Sequence, residues 1–325
     1  MVNDDPRVAR AYAYCEALAR AHYENFPVAS LLLPAAMRPH IAAIYAFART
    51  ADDFADEPGR QPEERLRLLD AWSARLGSDP SPPEPQMGSD PHVRSRETST
   101  SCLGSDPDRL REAGYTPRLG SDPDDLIFVA VRHTMRQQRL PRQLFEDLLS
   151  AFRQDVTTTE YATWDAVLDY CRRSANPVGR LVLRVAGYDD PRLDRASDAV
   201  CSALQLTNFW QDLARDHAIG RVYVPLDDRR ARGARMDDLA AGRMTPEWRQ
   251  VMAVMVERTR QLFAEGRAVC DGVRGRLRWE LRLTWLGGMR LLDQLERTDY
   301  DVFHRRPTLG AWDAPGLVVA ALFWR

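Results

Sequence analysis

The chain has 325 residues, 44% of them hydrophobic, enough to bury a large core as one all-helical unit or as two domains. Its 45 basic and 47 acidic residues leave a formal net charge of −2, which removes any global electrostatic reason to bind nucleic acid. Five scattered cysteines (Cys15, Cys102, Cys171, Cys201 and Cys270) lack the paired spacing of zinc or redox sites, and a reducing cytoplasm is the natural reading.

The first residues are charged and lack an apolar run, so no signal peptide is expected. Residues 4–26 carry a helical pattern, with Asp5 as cap, Pro6 in the first turn and a face of Val8, Tyr12, Cys15, Leu18 and His22. A second helix is expected over about 39–56, stopped by Pro58 and Gly59. Its face at 41, 45, 49, 52 and 56 reads Ile, Tyr, Arg, Asp, Asp, where an ordinary amphipathic helix would keep charge on the opposite side. The charged end of that stripe is expected to look inward.

Residues 77–125 are rich in Pro, Gly, Ser and Asp, and the pentapeptide [LM]-G-S-D-P recurs at 76–80, 87–91, 103–107 and 119–123. Spacings of 11, 16 and 16 residues are irregular and too short for a solenoid, so the segment reads as a polar insertion joining two helices. EF-hand ligand spacing is absent from it. Helices then follow over about 126–138, 141–155, 164–175, 192–215, 246–273 and 277–298, with Asn176-Pro177-Val178-Gly179 as an interruption and no convincing series of strands. The fold class is all-α, preferably a single domain over 1–325, and a bundle of this size can hold a site between facing helices. The apolar stretch 317–324 is too short to span a bilayer, which leaves peripheral membrane contact open.

Two acidic clusters carry the chemistry: Asp52, Asp53 and Asp56 in D-D-F-A-D, and Asp212 with Asp216 in N-F-W-Q-D-L-A-R-D. Each sets carboxylates four residues apart on one helix face, where two oxygens can share a Mg²⁺. Gln205, Asn208, Asp212 and Asp216 continue the second cluster as a polar stripe, flanked by Leu204, Leu206, Phe209, Trp210 and Leu213. A helix greasy on most sides with one polar stripe suits the wall of an interior cavity. A lone D-x-x-x-D is usually a solvated face, but two sets beside an inward arginine call for a hard cation. Mg²⁺ is commonly completed by substrate phosphates, which makes a diphosphate the third party. Arg49, Arg215 and Arg305 are candidates to hold its oxygens.

These residues resemble the squalene and phytoene synthase family. The resemblance rests on I-Y-A-F-A-R-T-A-D-D-F-A-D (44–56), D-Y-C-R-R-S-A-N-P-V-G (169–179), L-Q-L-T-N-F-W-Q-D (204–212), G-R-V-Y-V-P (220–225) and Y-D-V-F-H-R-R (300–306). It implies a class I isoprenoid (terpenoid) synthase bundle with a central active-site cavity. A-H-Y-E-N-F-P-V-A-S (21–30) and R-R-S-A-N-P-V-G look most like the hopanoid-pathway branch called HpnC. That branch converts presqualene diphosphate and water into hydroxysqualene and diphosphate, and the expected mechanism here is Mg²⁺-assisted ionisation, rearrangement and capture of the cation by water. Carried over by position, the resemblance assigns Asp52, Asp53, Asp56, Asn208, Asp212 and Asp216 to metal binding. It assigns His22, Tyr45, Arg49 and Arg305 to the diphosphate region; Gln205, from the polar stripe, and Arg215, from its charge, complete the substrate-binding candidates, and Tyr45, Arg49 and Asn208 are the catalytic candidates. Read without it, His22 and Tyr45 are ordinary packed core residues with satisfied polar atoms. Arg172, Arg173 and Asn176 are candidates to position the water.

The chain departs from the family form R-D-x-x-E-D: Gln211 replaces the arginine and Arg215 the glutamate, and Gly288 lies where some relatives carry a tyrosine. The rival enzyme is a presqualene diphosphate or squalene synthase condensing two farnesyl diphosphates, the latter with NADPH, and a phytoene synthase would need a deeper cavity. A rival of another class is a non-catalytic helical scaffold. The expected setting is the cytoplasm, peripheral at the inner face of the membrane, with association with other hopanoid-pathway enzymes and no nucleic-acid partner.

Overall fold

The computed structural model describes residues 5–22, 33–56, 59–77 and 122–324, so the repeated pentapeptides lie almost wholly outside the described residues. Fourteen helices are described: α1 Pro6–His22, α2 Arg38–Asp56, α3 Pro62–Gly77, α4 Pro123–Gln138, α5 Arg142–Thr157, α6 Trp164–Ser174, α7 Asn176–Val185, α8 Pro191–Ala218, α9 Leu226–Ala231, α10 Met236–Ala240, α11 Pro246–Gly266, α12 Ala268–Gly272, α13 Gly275–Arg297 and α14 Ala314–Leu322. No strand occurs among the described residues, and an isolated bridge pairs Glu160 with Val222. The all-α class is therefore as expected.

Several boundaries differ from the sequence reading for local reasons. Helix α4 begins at Pro123, inside the segment read as insertion, because the Asp122 carboxylate accepts the Asp124 N–H at 3.0 Å and Pro123 needs no partner at that position. The expected break at 176–179 is a corner: α6 ends at Ser174 and α7 starts two residues later with Pro177 in its first turn. The expected helix over 246–273 divides at Arg267. Helix α3 was missed, although Pro62, Glu63 and Glu64 at its start, Arg75 at its end and buried Leu69, Trp72 and Leu76 are ordinary helix signals.

Helix α2 is the axis of one half. Ala42, Ala43, Ala46, Ala51 and Ala55 are buried and small, which lets α1, α4 and α5 approach its backbone closely. Phe47 supplies the bulk, with its ring 5.7 Å from Trp72, 6.1 Å from Phe128 and 5.4 Å from Phe145. Helix α8 is the axis of the other half, packed on α7, α11 and α13. The indole N–H of Trp210 donates to Thr259 Oγ1 at 2.8 Å, tying α8 to α11. At Gly179 a Cβ would fall 2.3 Å from Ser197 Oγ and 2.5 Å from Cys201 Sγ, so α7 crosses α8 at a distance that only glycine permits.

The turn after α8 brings the two halves together. Its chain reverses at Gly220, where the Arg221 N–H donates to the Asp216 carbonyl at 2.8 Å. It then runs beside the end of α5: the Val222 N–H donates to Thr159 O at 2.8 Å and the Leu226 N–H to Tyr161 O at 2.9 Å. The acidic ends of α2 and α8 thereby meet at one end of the bundle.

Candidate active site

On α2, Arg49 is gripped by its own helix: Nη1 lies 3.3 Å from Asp52 Oδ2 and Nη2 lies 2.6 Å from Asp53 Oδ1. Tyr45, one turn earlier, has its hydroxyl pKa raised chiefly by burial, with Arg49 opposing. Burial first, and then the Asp56 carboxylate, push Asp52 up to about 6. The Arg221 guanidinium reaches across from the turn after α8 and donates to Asp56 Oδ1 at 2.7 Å and to the Asp155 carbonyl at 3.2 Å.

On α8, Asp212 accepts a two-pronged grip from Arg306, with Nε at 2.6 Å and Nη2 at 2.9 Å. Arg215 stands farther off, 3.6 Å from the same carboxylate, and is exposed. Gln211 is buried, and its side-chain amide donates to the Pro307 carbonyl at 2.8 Å, which pins the segment carrying Arg306 against α8. The residue that replaces the family arginine is therefore an anchor, and Arg306 supplies the guanidinium beside Asp212. Burial, followed by repulsion from Asp212, pushes Asp216 up to about 7; Arg221 lowers it and Asp56 raises it. Both clusters thus lie within the electrostatic reach of one arginine.

Behind Arg221 lies Asp155, buried, which accepts the Tyr170 hydroxyl at 2.7 Å while its other oxygen has no hydrogen-bond partner among the described residues. Burial pushes it up to about 7, against the Tyr170 hydrogen bond and the Arg221 charge. Tyr170 belongs to a buried aromatic group. Tyr223 stacks on Phe209 at 3.6 Å between ring centres, and its ring lies 5.6 Å from Tyr161 and 5.8 Å from Tyr170. The aromatic faces sit directly against the acidic end of the bundle.

Of the candidates read from the sequence, Tyr45, Arg49, Asp52, Asp53, Asp56, Asp212 and Asp216 lie at this shared end. Gln205, half-buried, and Asn208, exposed, continue the face of Asp212 along α8. Arg305 is a correction at the level of geometry: its side chain is exposed and its backbone N–H bonds the Asp301 carbonyl, while its neighbour Arg306 reaches the cluster. His22 closes α1, but its side chain lies outside the described residues, as does most of the segment 21–30. The three residues read as water-positioning are engaged elsewhere. Arg172 binds Asp169 at 2.8 Å, Asn176 accepts the Ser202 hydroxyl at 2.9 Å, and Arg173 is held by Asp169, Ser150 and Gln154. Sequence reasoning did not single out Arg221, Arg306 or Asp155. The first two stand inside the blocks 220–225 and 300–306 already noted, whereas a single aspartate in α5 gives no pattern.

Among the described residues, no three His, Cys, Asp or Glu side chains close around one point. The carboxylates are turned instead onto Arg49, Arg221 and Arg306. The donor set still fits a hard divalent cation: it is all oxygen, and burial first, then the neighbouring carboxylates, raise Asp52 and Asp216, so a bound cation would favour their ionised forms. Magnesium would be held by the oxygens of Asp52, Asp53, Asp56, Asn208, Asp212 and Asp216.

The profile of the squalene/phytoene synthase family matches residues 19–313. A hydroxysqualene synthase of Rhodopseudomonas palustris is 33% identical over 279 residues, which is 85% of this chain and 80% of that protein. Another, from Zymomonas mobilis, is 34% identical over 74% of this chain and 67% of its own. Among solved structures, squalene synthase HpnC from Alicyclobacillus acidocaldarius superposes with a TM-score of 0.72 at 36% identity, covering 90% of this chain and 95% of that one. With two acidic helices meeting at one end of an all-α bundle and a profile match over most of its length, the chain belongs to the squalene/phytoene synthase family.

Proposed function

We propose that the protein is a hydroxysqualene synthase, converting presqualene diphosphate and water into hydroxysqualene and diphosphate. The observation that carries this reading is the 33% identity to a hydroxysqualene synthase over 85% of the chain. The site supports it: Arg49, Arg221 and Arg306 each touch a carboxylate at the shared end, and their guanidinium groups suit diphosphate oxygens. Magnesium, when bound by the acidic residues, supplies the positive charge that stabilises the departing diphosphate. The carbon–oxygen bond breaks with its electron pair leaving on diphosphate, and the three arginines hold that charge in place. The buried aromatic group of Tyr161, Tyr170, Phe209 and Tyr223 beside the acidic end would help to keep bulk water from the forming carbocation. After rearrangement, the oxygen of one admitted water adds to the cation and its extra proton is released, so no reductant is consumed.

A second reading has a specific support, since the solved relative at 36% identity is named a squalene synthase. That activity condenses two farnesyl diphosphates and then needs a hydride donor. Incubating the protein with presqualene diphosphate or farnesyl diphosphate, each with Mg²⁺ and with or without NADPH, separates the two. The expected outcome is alcohol from presqualene diphosphate alone; presqualene diphosphate or squalene formed from farnesyl diphosphate would replace this reading with the second.

A further inference from the structure

Helix α14 is apolar all round, a pattern that belongs in a protein interior, yet only one side of it is covered. Ala321 is 1% exposed, and Ala314, Leu317 and Trp324 are half-buried on the side that meets α13. On the other side Val318 (46%), Val319 (52%), Leu322 (60%) and Phe323 (75%) stand open, and Trp312 just before the helix is 96% exposed. Clustered exposure of this kind marks an interaction surface, whereas single exposed apolar residues need no explanation.

The neighbouring surface is basic. Residues 267–290 contain Arg267, Arg274, Arg276, Arg278, Arg282 and Arg290 against Asp271 and Glu280, a net +4 in a chain whose total is −2. Glu280 is buried, so it offsets little of that charge at the surface. Two of the arginines join the end of α14 through its tryptophan: the guanidinium of Arg267 lies 4.5 Å and that of Arg282 lies 5.2 Å from the Trp324 ring. Arg282 also lies 5.8 Å from Trp279, which is 37% exposed. Asp271 pairs with Arg282 at 2.9 Å and Asp313 with Arg290 at 3.2 Å, so part of the charge is compensated and an excess is left.

Exposed aliphatic side chains, tryptophans beside them and an excess of arginine are the components of a helix that lies in a bilayer interface. The apolar groups enter the acyl boundary and the guanidinium groups meet lipid phosphates. No helix among the described residues is long and apolar enough to cross a membrane, and the nine residues of α14 extend only roughly 14 Å, so the contact would lie along the surface. A second copy of this chain covering the same face would bring the basic surface against its own like charge. From the open face of α14 and the arginines flanking it, we propose that the protein docks on an anionic phospholipid bilayer through this helix. The surface uses no residue of the acidic site and stands apart from the reaction proposed above.

The test is co-sedimentation of the whole chain with phosphatidylglycerol–phosphatidylcholine vesicles at about 0.1 M salt. The expected result is binding that falls at least about tenfold with pure phosphatidylcholine vesicles or with the double variant Leu322→Glu, Phe323→Glu. Trp312→Ala, at a residue with almost no packing to lose, is expected to weaken binding several-fold and to leave the melting temperature unchanged. Absence of binding by the unaltered protein, equal binding by the variants, or a vesicle-independent dimer broken by the same substitutions would each overturn the proposal. Turnover in detergent, measured in parallel, reports on the catalytic reading by itself.

Discussion

Arg221 touches Asp56 across 165 residues of sequence, and its backbone N–H is fixed by the carbonyl of Asp216. Its charge lowers the pKa of Asp52, Asp155 and Asp216 together, which makes it the cation through which the two acidic helices are coupled. Arg221→Gln is expected to lower kcat/KM about 10²-fold, the scale seen when one preorganised donor to developing negative charge is removed. A circular-dichroism melt should still show the folded bundle, and Arg221→Lys should recover part of the loss; an unchanged kcat/KM would remove Arg221 from the site. The aspartates themselves were legible in the sequence, because a four-residue repeat of carboxylates is a local pattern that helix geometry turns into one face. The arginines opposite them were not, because the pairings of Arg221 with Asp56 and of Arg306 with Asp212 depend on how distant turns fold back. Gln211 was misleading on its own, since a lost positive charge gives no hint that the amide anchors Pro307 and that Arg306 supplies the charge.

Helix α13 shows how one element serves packing and carries a titration. At Gly288 a Cβ would fall 2.3 Å from the ring of Phe263, which is fully buried, so Phe263 fills the space that a larger residue at 288 would need. One face further along, Glu280 is buried and its Oε2 has no hydrogen-bond partner among the described residues. Burial raises its pKa from the ordinary 4.5 to about 8. Between those values the unfolded chain gives up a proton that the folded chain keeps, so this group makes the protein less stable as pH rises, with its full cost present above about 8. Urea melts at pH 5 and pH 8 should show a loss of about 1–3 kcal/mol from this source, the cost of an unpaired buried polar group. Glu280→Gln, which cannot ionise, should narrow the difference by that amount; an equal pH difference in both proteins would show that Glu280 is not the cause. Most helices were legible from their apolar periodicity. Helix α3 was hidden by the polar, repetitive segment that follows it, and Asn176-Pro177 reads equally as a break or as the start of α7.

At the scale of the molecule, α2 and α8 act as two walls whose acidic ends converge while their apolar faces build the core. That convergence was expected from the motifs, but no helical period reports which ends of two distant helices meet. The turn at 219–225 and its pairing with 159–162 decide it. The same arrangement separates a polar end, where carboxylates and arginines meet, from a buried aromatic interior, the division that the proposed ionisation of a diphosphate calls for. The most direct measurement is turnover of presqualene diphosphate with Mg²⁺ in ¹⁸O-labelled water, followed by mass analysis of the product. The expected result is an alcohol carrying one ¹⁸O atom from solvent, formed by the unaltered protein and lost with Asp212→Asn. An unlabelled or hydrocarbon product, or undiminished turnover by that variant, would contradict a site in which the two acidic helices ionise the diphosphate and water ends the reaction.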